Sequence, residues 1–305
     1  MRYQKILDPS QIFQAQAQSH AFWGGTSLLE ARYQNLLSRI REFGGNKLFL
    51  SGLIDGKGEV AVSLKRYYLP LTVGGREILS FGLGAYFKNE KYKATPGLAK
   101  NLLDATLRDA REEDGCGASH LFSDIGTTYY EGFGYRNVSS QRWKVLTAQL
   151  PNEGGLRVRA ANPTDLPELI AWYDRTSGTA ALRTVRDATT WTTMRTINHV
   201  QTDLILSRGS EDIGYLSLTY PDQRNYLWVE EWSAPAEYET DVWATVRKLA
   251  EEVRREEVAG WQLPGYQKLA VAEISAREKQ RTMVKLFDGS ELPEGPTYFA
   301  PPDHF

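Results

Sequence analysis

The sequence predicts a soluble α/β (α+β) protein made of two tandem units, each a mostly antiparallel sheet flanked by helices. Three observations point there. The order helix, strands, helix occurs before residue 150 and returns after 156. Asp55-Gly56-Lys57-Gly58 is hairpin chemistry between two strand-like runs, because glycine accepts positive φ without steric cost. The polar stretch Leu150-Pro-Asn-Glu-Gly-Gly155 breaks the chain between the repeats, so domains are expected over 1–150 and 156–305.

Composition narrows the class. A chain of 305 residues, 41% hydrophobic and 24% charged, buries two cores of ordinary size. A net charge of −2 supplies no global field toward nucleic acid or membrane, and neither is expected as a partner. One cysteine, Cys116, excludes an internal disulfide framework and fits a reducing compartment. The start, MRYQKILDPSQIF, lacks the apolar core of a signal peptide, and a cytoplasmic location is expected. His20, His120, His199 and His304 are scattered without ligand spacing, so no metal is expected.

The elements follow in order. Ser27 and Glu30 form a capping box that opens a helix carrying Leu29, Tyr33, Leu37 and Ile40, with Gly44-Gly45 as its stop. Strands are expected over 47–54 and 59–64, around the hairpin, and a third over 77–87. Thr95 as cap and Pro96 at the first helical position start a long amphipathic helix, followed by a short strand. Further strand is expected from 142 to 149. In the second half, a strand over 156–160 leads to a helix capped at Asn162-Pro163 and running to Tyr173. Strands over 203–206, 213–219 and 226–232 precede a helix over 241–257 with Val242, Val246, Leu249 and Val253 on one face.

Chemistry concentrates between Gly82 and Arg136. A helix N-terminus leaves backbone N–H groups unpaired at the positive end of the helix dipole, which suits a diphosphate. Gly97 and Ala99 keep the approach to such amides open, and Lys93 and Lys100 add charge. By itself the same stretch also reads as an ordinary helix start with a solvated lysine face.

Tyr86-Phe-Lys-Asn-Glu-Lys-Tyr92-Lys93, followed by Gly97-Leu98-Ala99, resembles motif A of the GNAT N-acetyltransferases, [QR]-x-x-G-x-[GA]. Read from Lys93, the run is one residue longer than that pattern. Phe122 to Arg136, with Tyr129-Tyr130 and Gly132-Phe-Gly134, resembles their motif B. The layout over most of the chain is similar to the fungal lysine N-acetyltransferases, through Ala61 to Arg66, Ser123 to Tyr130 and an appended second domain. It is also similar to the multi-acetylating aminoglycoside enzymes and to the aminoacyl-tRNA-dependent transferases of cell-wall synthesis.

The resemblance implies two tandem GNAT-like domains, with a splayed parallel strand pair in the first and acetyl-CoA as co-substrate between those strands. It implies that the backbones of Tyr86 and Lys88 bond the pantetheine arm. Lys93, Thr95, Gly97, Leu98, Ala99 and Lys100 hold the pyrophosphate, and Ser123 lies near the thiol. Tyr130 protonates the departing thiolate; a phenol and a thiol in water lose their protons at pH values of roughly 10 and 8.5, so that transfer is nearly balanced. The alternative for Tyr130 is a core aromatic with a satisfied hydroxyl. Asp124 is a candidate general base or else a turn cap, with a water chain and the terminal carboxylate of Phe305 as competitors. The partner expected is a small-molecule primary amine, lysine-like by the fungal likeness, with homo-oligomerisation left open. At the matching place in the second half, Glu239 and Asp241 repel a pyrophosphate, so that domain is expected to cover the acceptor pocket instead. Glu230, Glu231 and Trp232 are read either as reaching that pocket to hold a cationic amine or as an exposed strand. A non-catalytic acyl-CoA-binding or scaffolding protein is the rival reading.

Overall fold

The computed structural model describes residues 1–23, 28–42, 47–138, 140–197, 201–220, 225–263 and 272–301. The first half runs β1 (Arg2–Ile6), α1 (Pro9–Trp23), α2 (Leu29–Glu42), β2 (Leu48–Ile54), β3 (Val60–Tyr68), β4 (Leu71–Val73), β5 (Arg76–Ile78), β6 (Ser80–Lys88), α3 (Leu98–Glu112), β7 (Ala118–Ser123), α4 (Thr128–Glu131), β8 (Arg136–Asn137) and β9 (Gln141–Leu146). The second runs β10 (Arg157–Ala160), α5 (Leu166–Ser177), β11 (Leu182–Thr184), α6 (Ala188–Ile197), β12 (Gln201–Arg208), β13 (Glu211–Thr219), β14 (Tyr226–Ser233), α7 (Glu239–Glu252), β15 (Glu257–Trp261), β16 (Glu273–Ala276), β17 (Arg281–Leu286) and β18 (Thr297–Tyr298).

Two seven-stranded sheets and a smaller one result. The first is ordered β1-β2-β3-β6-β7-β17-β8 and is antiparallel except for β6 with β7. The second is ordered β10-β12-β13-β14-β15-β9-β16 and is antiparallel except for β14 with β15. The third, β18-β11-β4-β5, joins strands from both halves. The loop at 150–155 divides the chain but not the sheets. β9, from the first half, pairs between β15 and β16, while β17, from the second, pairs between β7 and β8. Each sheet thus satisfies its backbone groups with a strand lent by the other half.

Both parallel pairs begin together and then part. On β6, Lys65 lies opposite Gly84 and Ser63 opposite Phe87, so β6 carries an extra residue there, and Ala85 takes φ 45°. On β14, Leu218 lies opposite Val229 and Ser217 opposite Glu231, which leaves Glu230 extra. The splay expected in the first domain is therefore present in both.

Three apolar clusters fill the layers. One sits between α3 and the first sheet and includes Leu98, Leu102, Leu121, Tyr130 and Tyr135. A second lies under α1 and α2, around Ile12, Leu36 and Leu50. The largest spans the second sheet and the C-terminal strands. α1 was not expected from the sequence, because its buried stripe Ile12, Ala15, Gln16 and Ser19 is half polar and carries little apolar periodicity. α7 ends at Glu252, short of the expected 257, because Arg254 adopts φ 56° and turns the chain into β15. Val253, expected on the buried face, is 39% exposed. Ser27, Gly44 and Gly45 lie outside the described residues, as do His199, His304 and Phe305. No described helix is long and apolar enough to cross a membrane.

Candidate functional site

The fork between β6 and β7 defines the site. The strands pair from Ser80 with Ala118 to Leu83 with Leu121 and no further. Beyond the bulge, the Asn89 N–H donates to the Ala61 carbonyl of β3 at 2.9 Å. Successive N–H groups along a strand point to opposite sides, so those of Tyr86 and Lys88 point away from β3, to the side β7 has left. An unpaired strand edge there accepts an extended chain as a further strand.

α3 begins beside this fork. Its N-cap is Gly97, at φ 74° and ψ −12°, with no side-chain cap. The first helical bond runs from Asn101 N to Gly97 O at 2.8 Å, so Leu98, Ala99 and Lys100 present amides without an intrahelical partner. A Cβ built on Gly97 meets nothing within 4 Å, so the space beside this N-cap is open. The expected start is corrected by two residues. Thr95 does not cap and Pro96 lies outside the helix, because only glycine at 97 adopts the left-handed turn without strain. Pro96 therefore removes no donor from the helical amides.

The lysines are engaged locally. Lys88 Nζ donates to the carbonyls of Lys93 and Thr95, at 2.9 and 2.6 Å, and ties the loop to the strand. Lys93 pairs with Glu90 at 3.2 Å and Lys100 with Asp104 at 2.7 Å, all four side chains being solvent-exposed.

The turn after β7 brings Tyr130 to the same place. Gly134 adopts φ 82°, and the next residue, Tyr135, is anchored by a 2.7 Å bond between its hydroxyl and that of Ser119 on β7. Tyr135 N in turn bonds Tyr130 O at 3.2 Å. The Tyr130 ring stands edge-on between Tyr129 and Tyr135, at centroid distances of 5.1 and 5.9 Å. Tyr130 is 6% exposed, yet its hydroxyl makes no hydrogen bond among the described residues and is not sealed from solvent. Burial, with Tyr129 and Asp124 adding to it, raises its pKa well above the usual phenol value.

Tyr129 escaped the sequence reading. Its hydroxyl lies 3.2 Å from that of Tyr86, which donates to the Ala99 carbonyl. Lys100 Nζ also stands 5.5 Å from the centre of the Phe133 ring. These contacts bind strand, helix start and tyrosine turn into one unit. The doubled tyrosine of the second motif was the available signal.

Other candidates have different surroundings. Ser123 is 2% exposed; its hydroxyl donates to Gly126 O and accepts from Ile125 N at 3.3 Å, so Ser123 holds the turn that was the alternative role for Asp124. Asp124 is exposed and accepts from Gln280 N at 3.2 Å. Cys116 is 3% exposed, and burial pushes its thiol up to about 12, which leaves it protonated and poorly nucleophilic.

In the second domain the corresponding helix start is filled. Asp241 accepts from Gly155 N at 2.9 Å and pairs with Arg208 at 3.0 Å, while Glu239 accepts from Trp243 Nε1 at 3.3 Å. Glu230, Glu231 and Trp232 are 8%, 0% and 4% exposed, so the reading of them as an exposed strand is corrected. Glu231 is paired with Arg186 at 2.5 Å, both side chains fully buried, and Glu230 accepts from Thr219 and Trp228 at 2.5 and 3.2 Å. Both carboxylates are buried and bonded within the fold, Glu231 Oε2 being the one of their oxygens without a partner among the described residues.

Solved structures share this architecture. A GCN5-related N-acetyltransferase from Kribbella flavida superposes with a TM-score of 0.73 at 19% identity, over 94% of this chain and 71% of its own. Eis1 from Mycobacterium abscessus does so at 0.61 and 14% identity, over 94% and 74%. The Saccharomyces cerevisiae N-myristoyltransferase with bound myristoyl-CoA does so at 0.59 and 7% identity, over 93% and 82%. No family model and no curated protein matches the sequence. The chain has the tandem fold of the GNAT N-acetyltransferases.

Proposed function

We propose that the protein is a CoA-dependent N-acyltransferase that moves an acetyl group to a primary amine of a small molecule, a lysine-like amine being favoured by the sequence likeness. The observation that carries this is the uncapped start of α3 beside the β6–β7 fork, with Tyr130 packed on Tyr129, whose hydroxyl meets that of Tyr86. The amides of Gly97, Leu98, Ala99 and Lys100 hold the pyrophosphate, and the strand edge at Tyr86 and Lys88 takes the pantetheine amides. That a neighbour of this fold holds myristoyl-CoA supports a CoA thioester as the donor.

The amine nitrogen attacks the thioester carbonyl, a carbon–nitrogen bond forms, and the carbon–sulfur bond breaks. The thiolate takes its proton from Tyr130, a phenol that is protonated at neutral pH, and water reprotonates the phenolate before the next turnover. The ammonium proton of the acceptor leaves to water, with Asp124 at the end of β7 as its carboxylate acceptor. No enzyme nucleophile is involved, in keeping with a protonated Cys116.

The test is CoA release from acetyl-CoA across a panel of free lysine, polyamines, aminoglycosides and peptides. Turnover with one class is expected, and Tyr130→Phe lowers it on the order of a hundredfold or more while CoA still binds. CoA binding without turnover on any amine contradicts the enzymatic reading and favours a non-catalytic acyl-CoA-binding protein.

A further inference from the structure

Two side chains of β6 reach across to the start of α3. Tyr86 and Lys88 are two positions apart on one strand, so they lie on the same face of the sheet. Lys88 Nζ donates to the carbonyls of Lys93 and Thr95, in the loop before the helix. The Tyr86 hydroxyl donates to the carbonyl of Ala99, inside the first turn. A phenol has one proton to give, so Tyr86 is the acceptor in its 3.2 Å contact with the Tyr129 hydroxyl. The two rings lie 6.4 Å apart, and both pack on the apolar cluster beneath α3.

That first turn has no side-chain cap of its own, because Gly97 is its N-cap. Buried Leu98 anchors it in the core, and the Tyr86 hydroxyl bonds it directly to β6. Tyr86 thus serves both parts of the fork. Its backbone N–H lies on the unpaired strand edge, and its side chain holds the helix amides at a set distance from that edge.

We propose that Tyr86 is a positioning residue whose hydroxyl, through Ala99, sets the spacing between the strand edge at Tyr86 and Lys88 and the amides of Leu98, Ala99 and Lys100. The inference rests on the CoA reading of the fork and adds a condition on the ligand. A molecule that spans two subsites gains when they are held at the right separation before it arrives, whereas a molecule filling one subsite gains nothing.

The test compares the native full chain with Tyr86→Phe, which keeps the ring and removes the hydroxyl, using three probes. CoA spans both parts, adenosine diphosphate reaches only the helix amides, and pantetheine reaches only the strand edge. Calorimetry measures CoA, and NMR titration measures the two weaker fragments. The variant is expected to weaken CoA about five- to tenfold and to leave both fragments within about twofold of native affinity. Unchanged CoA affinity overturns the proposal. So does an equal loss for either fragment, which marks a local distortion or a direct contact. Should a fragment bind too weakly to titrate, kinetics decide: KM for acetyl-CoA is expected to rise with kcat unchanged, and a fall in kcat overturns the spacing role. A native protein that binds no CoA overturns the acyl-transfer reading and this inference with it, whereas a variant indistinguishable from native overturns this inference alone.

Discussion

At Tyr130, burial does two things: it fixes the ring between Tyr129 and Tyr135, and it holds the phenol in its protonated form. Glu230 shows the same physics in a carboxyl group. Burial raises it from 4.5 to about 7, with Thr219 and Trp228 opposing the shift. Between those values the native chain keeps a proton that the unfolded chain releases, so stability falls as pH rises through that window. At about 1.4 kcal/mol per pH unit the loss is roughly 3 kcal/mol, complete above pH 7. Urea unfolding from pH 4.5 to 8 measures it, and Glu230→Gln is expected to flatten the dependence. Gly97 is a third single-residue test. A Cβ there meets no protein atom within 4 Å, but valine faces a left-handed backbone cost of about 1–2 kcal/mol and adds bulk beside the first amides of α3. CoA affinity measured by calorimetry is expected to fall at least about tenfold.

Helix α3 and helix α7 occupy matching places in their halves but start differently. α3 opens at a bare glycine, whereas Asp241 of α7 is bonded to the Gly155 amide. The sequence made this contrast legible, since Gly97 and the acid pair Glu239 and Asp241 are local signals. It also made legible the hairpin at Asp55, whose carboxylate binds the amides of Lys57 and Glu59. The bulges at Ala85 and Glu230 were not legible, because neither residue type marks an extra position; only pairing with the neighbouring strand reveals it. The burial of Glu231 was hidden for a similar reason, its partner Arg186 lying 45 positions away in sequence. Removing that partner leaves the buried Glu231 only its 3.3 Å contact with Arg195. Arg186→Met is expected to destabilise the protein by about 1.5–3 kcal/mol in chemical denaturation. CoA affinity, set in the other sheet, is expected to stay unchanged.

For the whole molecule, the exchange of β9 and β17 means that neither half completes its own sheet. A fragment of residues 1–150 lacks β17, which leaves β7 with an open edge facing β8. Such a fragment is expected to be insoluble or to show no cooperative transition, while the full chain unfolds in one step by circular dichroism. A cooperative, CoA-binding fragment contradicts that account. Chain order could not show the exchange, because long-range strand pairing leaves no local pattern. The central claim concerns the fork and the helix start together, and backbone amide NMR on the labelled full chain addresses both. Titration with CoA is expected to shift the Gly97, Leu98, Ala99, Tyr86 and Lys88 amides saturably and in parallel. Saturable binding that leaves those five amides unmoved contradicts the account.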